Sequence, residues 1–272
     1  MKLPYFLRSL LTGAGAALVL LLVLAAYRHW QPAPPTAPSA ARPRLDVPYV
    51  ATIGEVVERM LALAEVGPSD HVVDLGCGDG RILVAAARSR GASGYGVDLD
   101  PRRIREAEAN ARRGGVAGRL RFEVGDLFDA PIAGASVVAI YLLPEINLRL
   151  RPRLLAELRP GTRIVSHAFD MGDWRPDRST EVEGARIFLW VVPARVAGRW
   201  TLTDESGRRT ALTLDQSYQE VSGSVSDARL AGDRLTFTVE MGGRARRFEG
   251  RVAGGRIEPV APRAGWRMER AG

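Results

Sequence analysis

The densest chemistry in the chain lies in Val72-Val-Asp-Leu-Gly-Cys-Gly-Asp-Gly-Arg81. An apolar run ends in Gly76, Gly78 and Gly80, so the backbone can turn tightly and approach a ligand closely. The spacing is G-x-G-x-G and not the G-x-G-x-x-G of pyrophosphate binders. Asp74 and Asp79 lie in or beside the turn and would repel a pyrophosphate; a ligand with an ammonium and a sulfonium would not be repelled. Asp98 comes 22 residues after Gly76, at the end of the next apolar run. An acid in that place accepts hydrogen bonds from both hydroxyls of a ribose. A third run ends in Phe122-Glu-Val-Gly-Asp126-Leu127, where Asp126 could accept from an adenine amino group. Leu99 and Leu127 follow these two acids. Cys77 reads as a small residue in a tight loop, because its acidic neighbours do not favour a thiolate.

These residues need a scaffold that brings strand ends to one edge. Apolar positions 53, 56, 57, 60, 61 and 64 have helical periodicity. Val72–Leu75 reads as a buried strand, Arg81–Arg90 as a helix closed by Gly91, and Tyr95–Asp98 as a second strand. Asp100 caps a further helix with Pro101 at its first position and Gly114 at its end. Leu120–Val124, Ser136–Leu142 and Arg163–His167 read as strands, and Glu145–Leu158 as a helix. Alternating strands and helices predict an α/β fold, a doubly wound, Rossmann-like parallel sheet. Beyond Arg195 the helical pattern stops. Short alternating runs such as Leu235/Phe237/Val239, separated by Gly232-Asp233, Gly242-Gly243 and Gly254-Gly255, predict a small all-β module, a barrel or a sandwich.

The chain has 272 residues, 46% hydrophobic and 25% charged, which excludes disorder and collagen-like fibres. One cysteine and three scattered histidines exclude a disulfide framework and give no metal centre. Ser9–Tyr27 is 19 residues without a charge, close to the ~20 needed to cross hydrocarbon. It is longer than the core of a cleaved signal and lacks an A-x-A site directly after it. We therefore expect residues 1–30 to be a transmembrane anchor. Residues 31–44 are a Pro/Ala-rich spacer, 45–195 the α/β domain and 196–272 the β module. The net charge of +7 divides into +5 over residues 1–44, −1 over 45–195 and +3 over 196–272. The basic excess sits beside the apolar segment and not on the largest domain, which favours a membrane over nucleic acid as partner. Of the 38 basic residues only Lys2 is lysine, the imprint of a GC-rich, bacterial genome.

The glycine loop with Asp98 and Asp126 in order resembles the class I S-adenosylmethionine-dependent methyltransferases over about residues 50–195. Three further segments narrow it: Val47-Pro-Tyr-Val-Ala-Thr52, Tyr141-Leu-Leu-Pro-Glu145 with Asn147, and Ser166-His-Ala-Phe-Asp-Met-Gly-Asp-Trp174. This set resembles the lysine methyltransferases of the mitochondrial adenine nucleotide translocase and ATP synthase c subunit, and their archaeal broad-specificity relatives. Ala51 departs from that family, which tends to have proline there, and the C-terminal β module departs as well. The resemblance implies S-adenosyl-L-methionine as cofactor, held by Thr52, Asp74, Gly76, Cys77, Gly78, Asp79, Gly80, Asp98, Leu99, Asp126 and Leu127. It implies in-line displacement at the sulfonium methyl without a metal. Tyr49 and Tyr141 would line the passage for a lysine alkyl chain, and Glu145 would orient the ammonium before its proton leaves. His167 reads as a structural histidine, while Tyr49 and Trp174 have plain burial in the core as their alternative. The expected partner is a lysine-bearing, membrane or membrane-proximal protein. The expected location is the inner membrane, single-pass, with the catalytic domain in the cytoplasm where the cofactor is made. A lipid or quinone head group as acceptor, or a non-catalytic cofactor-binding scaffold, remain the alternatives.

Overall fold

The computed structural model describes residues 51–261 and 264–271. The expected anchor, the spacer and Tyr49 lie outside the described residues. Within them no helix is long and apolar enough to cross a membrane.

The first layer is a seven-stranded sheet in the order β3-β2-β1-β4-β5-β7-β6. Its parallel part comprises β1 (His71–Leu75), β2 (Ser93–Asp98), β3 (Leu120–Val124), β4 (Val137–Ile140) and β5 (Arg163–His167). Alternate residues of β1 face opposite sides. Val72 packs with Val56, Met60, Leu83 and Ala86 of helices α1 (Gly54–Leu63) and α2 (Arg81–Arg90). Val73 and Leu75 pack with Ile146, Leu150 and Leu154 of α4 (Pro144–Glu157). Helices thus cover both faces, as the doubly wound reading expects. Local signals set the element ends. Gly91 at φ 74° closes α2, and the Asp100 side chain caps α3 (Pro101–Arg113) by accepting from the Arg102 N–H. Strand order reverses between β1 and β4, so a crevice opens beyond their carboxyl ends.

The sheet is completed by a hairpin that the sequence patterns did not suggest. β7 (Ala185–Val191) runs antiparallel to β5, and β6 (Arg178–Val182) antiparallel to β7. Glu183 and Gly184, at φ 50° and 71°, make the two-residue turn between them.

The C-terminal module is one eight-stranded antiparallel sheet. Its strands are β8 (Gly198–Thr203), β9 (Arg209–Ser217), β10 (Glu220–Gly223), β11 (Ser226–Ala231), β12 (Arg234–Met241), β13 (Arg244–Ala253), β14 (Arg256–Pro259) and β15 (Arg267–Arg270). Strands adjacent in sequence pair with one another, β10 with β11 excepted, and β15 pairs back onto β8. β10 and β11 lie side by side, so the sheet curls on itself. Trp200, Leu202, Leu235, Phe237, Phe248, Ile257, Trp266 and Met268 point into one buried interior. Of the two expected architectures, the module is therefore the barrel. Eight strands enclose a space that side chains can fill, and here they fill it.

The barrel docks on the α/β layer. The connecting residues Val192, Ala194 and Val196 are all buried. Gln216 holds them, accepting from the Val196 and Ala197 N–H groups and donating to the Ala194 carbonyl.

Candidate active site

The crevice beyond β1 and β4 is a cleft of about 270 Å³. Its floor is the turn from β1 into α2. Gly76 and Cys77 both donate their N–H groups to the Val97 carbonyl at 2.9 Å, which ties the turn to β2. Gly76, Gly78 and Gly80 all lie at positive φ. A Cβ on Gly80 would come within 2.8 Å of the Ala107 Cβ and 2.9 Å of the Phe122 ring. The loop therefore combines left-handed backbone with close packing, which only glycine satisfies.

The acids of this loop have different environments. Asp79 forms a two-pronged ion pair with Arg81, Nε at 2.9 Å and Nη2 at 2.7 Å, and Arg81 also donates to the Thr52 carbonyl at 2.8 Å. Arg81 was not a sequence candidate. An arginine two residues from an acid is common, and the signal lay only in its place at the first turn of α2. Asp74 is fully buried, and its Oδ2 has no hydrogen-bond partner among the described residues. Burial, then the charges of Asp98 and Asp79, push its pKa up to about 8. A cationic group in the cleft would supply what this carboxyl lacks. The Cys77 thiol is pushed well up by burial and by Asp74 and Asp98, so it is not a nucleophile.

Asp98 is held at both oxygens: Gly78 N–H donates to Oδ2 and Asp100 N–H to Oδ1, each at 2.9 Å. These bonds fix the carboxylate at the cleft edge, where its remaining lone pairs can accept from a diol. Asp126 accepts from the Phe128 N–H at 2.9 Å. Leu99, Leu127 and Phe128 give the same end of the cleft an apolar lining suited to an aromatic base.

At the opposite end, Tyr141 lines the cleft past the end of β4. Its ring packs on His167 with centroids 3.8 Å apart and lies 6.4 Å from Phe169. The Nδ1 of His167 is 3.2 Å from the Thr52 hydroxyl, and burial lowers its pKa, so the ring is neutral at pH 7. Ala168, at φ 67°, closes a tight γ-turn in which the Phe169 N–H donates to the His167 carbonyl at 2.9 Å. This bend presents both rings to Tyr141. Asn147 of α4 holds it from behind, donating to the carbonyls of Phe169 and Asp170 at 3.3 and 3.2 Å.

The cleft thus gathers Thr52, Asp74, Gly76, Cys77, Gly78, Asp79, Asp98, Leu99, Asp126, Leu127 and Tyr141. Gly80 supports it from behind as the residue before α2. Glu145 is not among the lining residues and is exposed in the first turn of α4. The helix docks through Ile146, Asn147 and Leu150, which turns the residue before them to solvent. Glu145 thus stands outside the cleft wall, and its contact with an ammonium stays an expectation from the sequence. Leu142 and Ile146, also in the lining, were hidden among ordinary core residues. Among the described residues no cluster of His, Cys, Asp or Glu could hold a metal.

Residues 74–178 match the ANTKMT methyltransferase domain. The chain is 44% identical over 151 residues to a protein-lysine N-methyltransferase of Saccharolobus islandicus, covering 54% of this chain and 94% of that protein. The chain belongs to the S-adenosylmethionine-dependent methyltransferases of the ANTKMT family. A mouse relative, adenine nucleotide translocase lysine N-methyltransferase, is 35% identical over 49% of this methyltransferase and 58% of its own length. Among solved structures, an RNA methyltransferase from Salinibacter ruber in complex with S-adenosyl-L-homocysteine shares 49% identity with a TM-score of 0.53. It matches 54% of this methyltransferase and 96% of that chain. The methyltransferase uses S-adenosylmethionine. The orphaned Asp74 oxygen, the glycine turn and the doubly held Asp98 fit the ammonium, backbone and ribose of that cofactor. None of these matches extends over the whole chain.

Proposed function

We propose that this methyltransferase acts on a lysine side chain of a membrane or membrane-proximal protein. The observation that carries the reading is the uncharged wall at one end of the cleft, Tyr141 against a neutral His167 with Phe169 beyond. Bound S-adenosylmethionine supplies an electrophilic methyl group on its sulfonium. The chain's residues then have three tasks: to hold the cofactor, to keep water out and to present a neutral amine in line with the methyl carbon. An aromatic wall suits a lysine stem and lowers the pKa of the amine by desolvation. Tyr49 is assigned to the same passage by its place in the V-P-Y-V-A-T52 segment. The names of the Saccharolobus and mouse relatives support a lysine acceptor. The charge-free run Ser9–Tyr27 supports an anchor in the inner membrane, with the catalytic domain on the cytoplasmic side where the cofactor is made.

The test compares membranes from cells with and without the gene by mass spectrometry, alongside total RNA and lipid extracts. Methyl-lysine lost from one membrane protein, and absent when that lysine becomes arginine, supports the reading. A methylated nucleotide or lipid that disappears instead, with proteins unchanged, overturns it.

A further inference from the structure

The barrel touches the α/β layer at a chemically specific place. Ser217 ends β9 and Glu220 begins β10, leaving Tyr218 and Gln219 as a two-residue hairpin tip. Tyr218 sits at φ 53°, a left-handed conformation that glycine favours and tyrosine adopts only against strain. Its ring stacks on Trp174, centroids 5.6 Å apart and planes 13° from parallel, and its hydroxyl donates to Asp173 at 3.1 Å. Gln219 accepts from the Trp174 indole N–H at 2.9 Å and donates to the Arg175 carbonyl at 2.7 Å. Both tip residues thus grip the loop that follows β5. That loop begins with Ala168 and Phe169, which together with His167 at the end of β5 form the bend that packs against Tyr141. Two strained residues, Tyr218 and Ala168, therefore lie at opposite ends of one chain of contacts. Strain of this kind persists only where surrounding structure imposes it.

We propose that the β9–β10 tip is a positioning device for the acceptor side of the active site. Tyr218 and Gln219 hold residues 168–175 so that Phe169 and His167 stay against Tyr141. The barrel, in which no catalytic constellation is found, then serves the transferase reaction from outside the cofactor cleft. This rests on the reading that the Tyr141 wall faces the methyl acceptor.

The test uses the full chain with Tyr218→Ala, Tyr218→Phe and Gln219→Ala. Three quantities are measured: amide hydrogen exchange of residues 168–174, S-adenosylhomocysteine affinity by calorimetry, and kcat and KM with poly-L-lysine as acceptor. Tyr218→Ala should speed exchange of the loop at least about tenfold, because local opening no longer breaks the stack. Misplacing the wall should lower kcat/KM by about 10–100-fold, since small displacements cost that much in a positioned reaction. Cofactor affinity should stay within about twofold, because no tip residue reaches the cleft lining. Tyr218→Phe keeps the stack and should restore both exchange and turnover. If Tyr218→Ala lowers the folded fraction, Gln219→Ala carries the same comparison. Exchange of 168–174 unchanged in both alanine variants overturns the proposal, as does turnover falling only in proportion to folded protein. Failure of wild type to methylate poly-L-lysine counts against the lysine reading alone, and the exchange comparison then decides this one.

Discussion

Asp98 and Asp74 both serve the cofactor, but by different physics. Asp98 is preorganised by two backbone N–H groups. Asp98→Ala should cost about 2–3 kcal/mol of cofactor affinity, the worth of its charge-assisted bonds, and calorimetric titration of the folded variant measures it. Asp74 is held uncharged by burial, with its pKa pushed up to about 8. Its unfolded value is about 3.9. The folded chain therefore binds the extra proton between about pH 4 and pH 8, and stability of the cofactor-free protein falls as pH rises through that window. Asp74→Asn should flatten the fall, which melting curves from pH 5 to 9 would show. A cationic ligand beside Asp74 favours the carboxylate, so binding at pH 7 should release close to one proton. Titration in buffers of different ionisation enthalpy reads that number, and a value of zero would refute the contact. A lysine acceptor adds its own signature. With an amine pKa of about 10.4, rates at subsaturating acceptor should climb about tenfold per pH unit from 7 until desolvation flattens the curve.

At the scale of elements, what was legible in the chain was local. Gly91 ends α2 and Asp100-Pro101 starts α3 as composition alone suggests, because a left-handed cap and an N-cap involve neighbours in sequence. The cleft-lining acids were legible for the same reason: each lies at the carboxyl end of its strand or within a few residues beyond it. The β6–β7 hairpin was not, since its Glu183-Gly184 turn lacks the Asn or Asp that usually marks one and β6 has few apolar residues. That Glu145 is exposed and Ile146 lines the cleft was not legible, because which side of a helix meets the core depends on docking, one residue deciding between cleft and solvent. Gly80 shows how tightly two elements are joined. Gly80→Ala would force a Cβ against Ala107 and Phe122 at φ 74°, and should destabilise the domain by about 2–4 kcal/mol. Denaturant unfolding should show a lower midpoint with an unchanged slope.

Across the whole molecule, Ala51 and Thr52 are the first of the described residues to line the cleft. A chain lacking residues 1–44 should stay soluble and bind S-adenosylhomocysteine with unaltered affinity, and calorimetry of the truncated protein tests this. The connection 192–197, anchored by the buried Val192, Ala194 and Val196, should resist proteases in the native state, because its backbone must leave Gln216 to enter a protease cleft. A cut there in limited proteolysis would show the barrel swinging free. The barrel's closure by β15 on β8 also bears on the order in which a ribosome delivers the parts. β8 begins at residue 198 and its second partner ends at residue 270, so at about 5–20 residues per second the strand waits several seconds with one edge unpaired. The nucleotide-binding layer can be complete throughout that interval, while an open Trp200 and Leu202 edge invites pairing with other nascent chains. Each new molecule therefore passes through an adhesive adolescence between the emergence of its first barrel strand and that of its last. Pulse proteolysis of chains stalled at successive lengths should find the layer protected first and the barrel only after β15 has emerged.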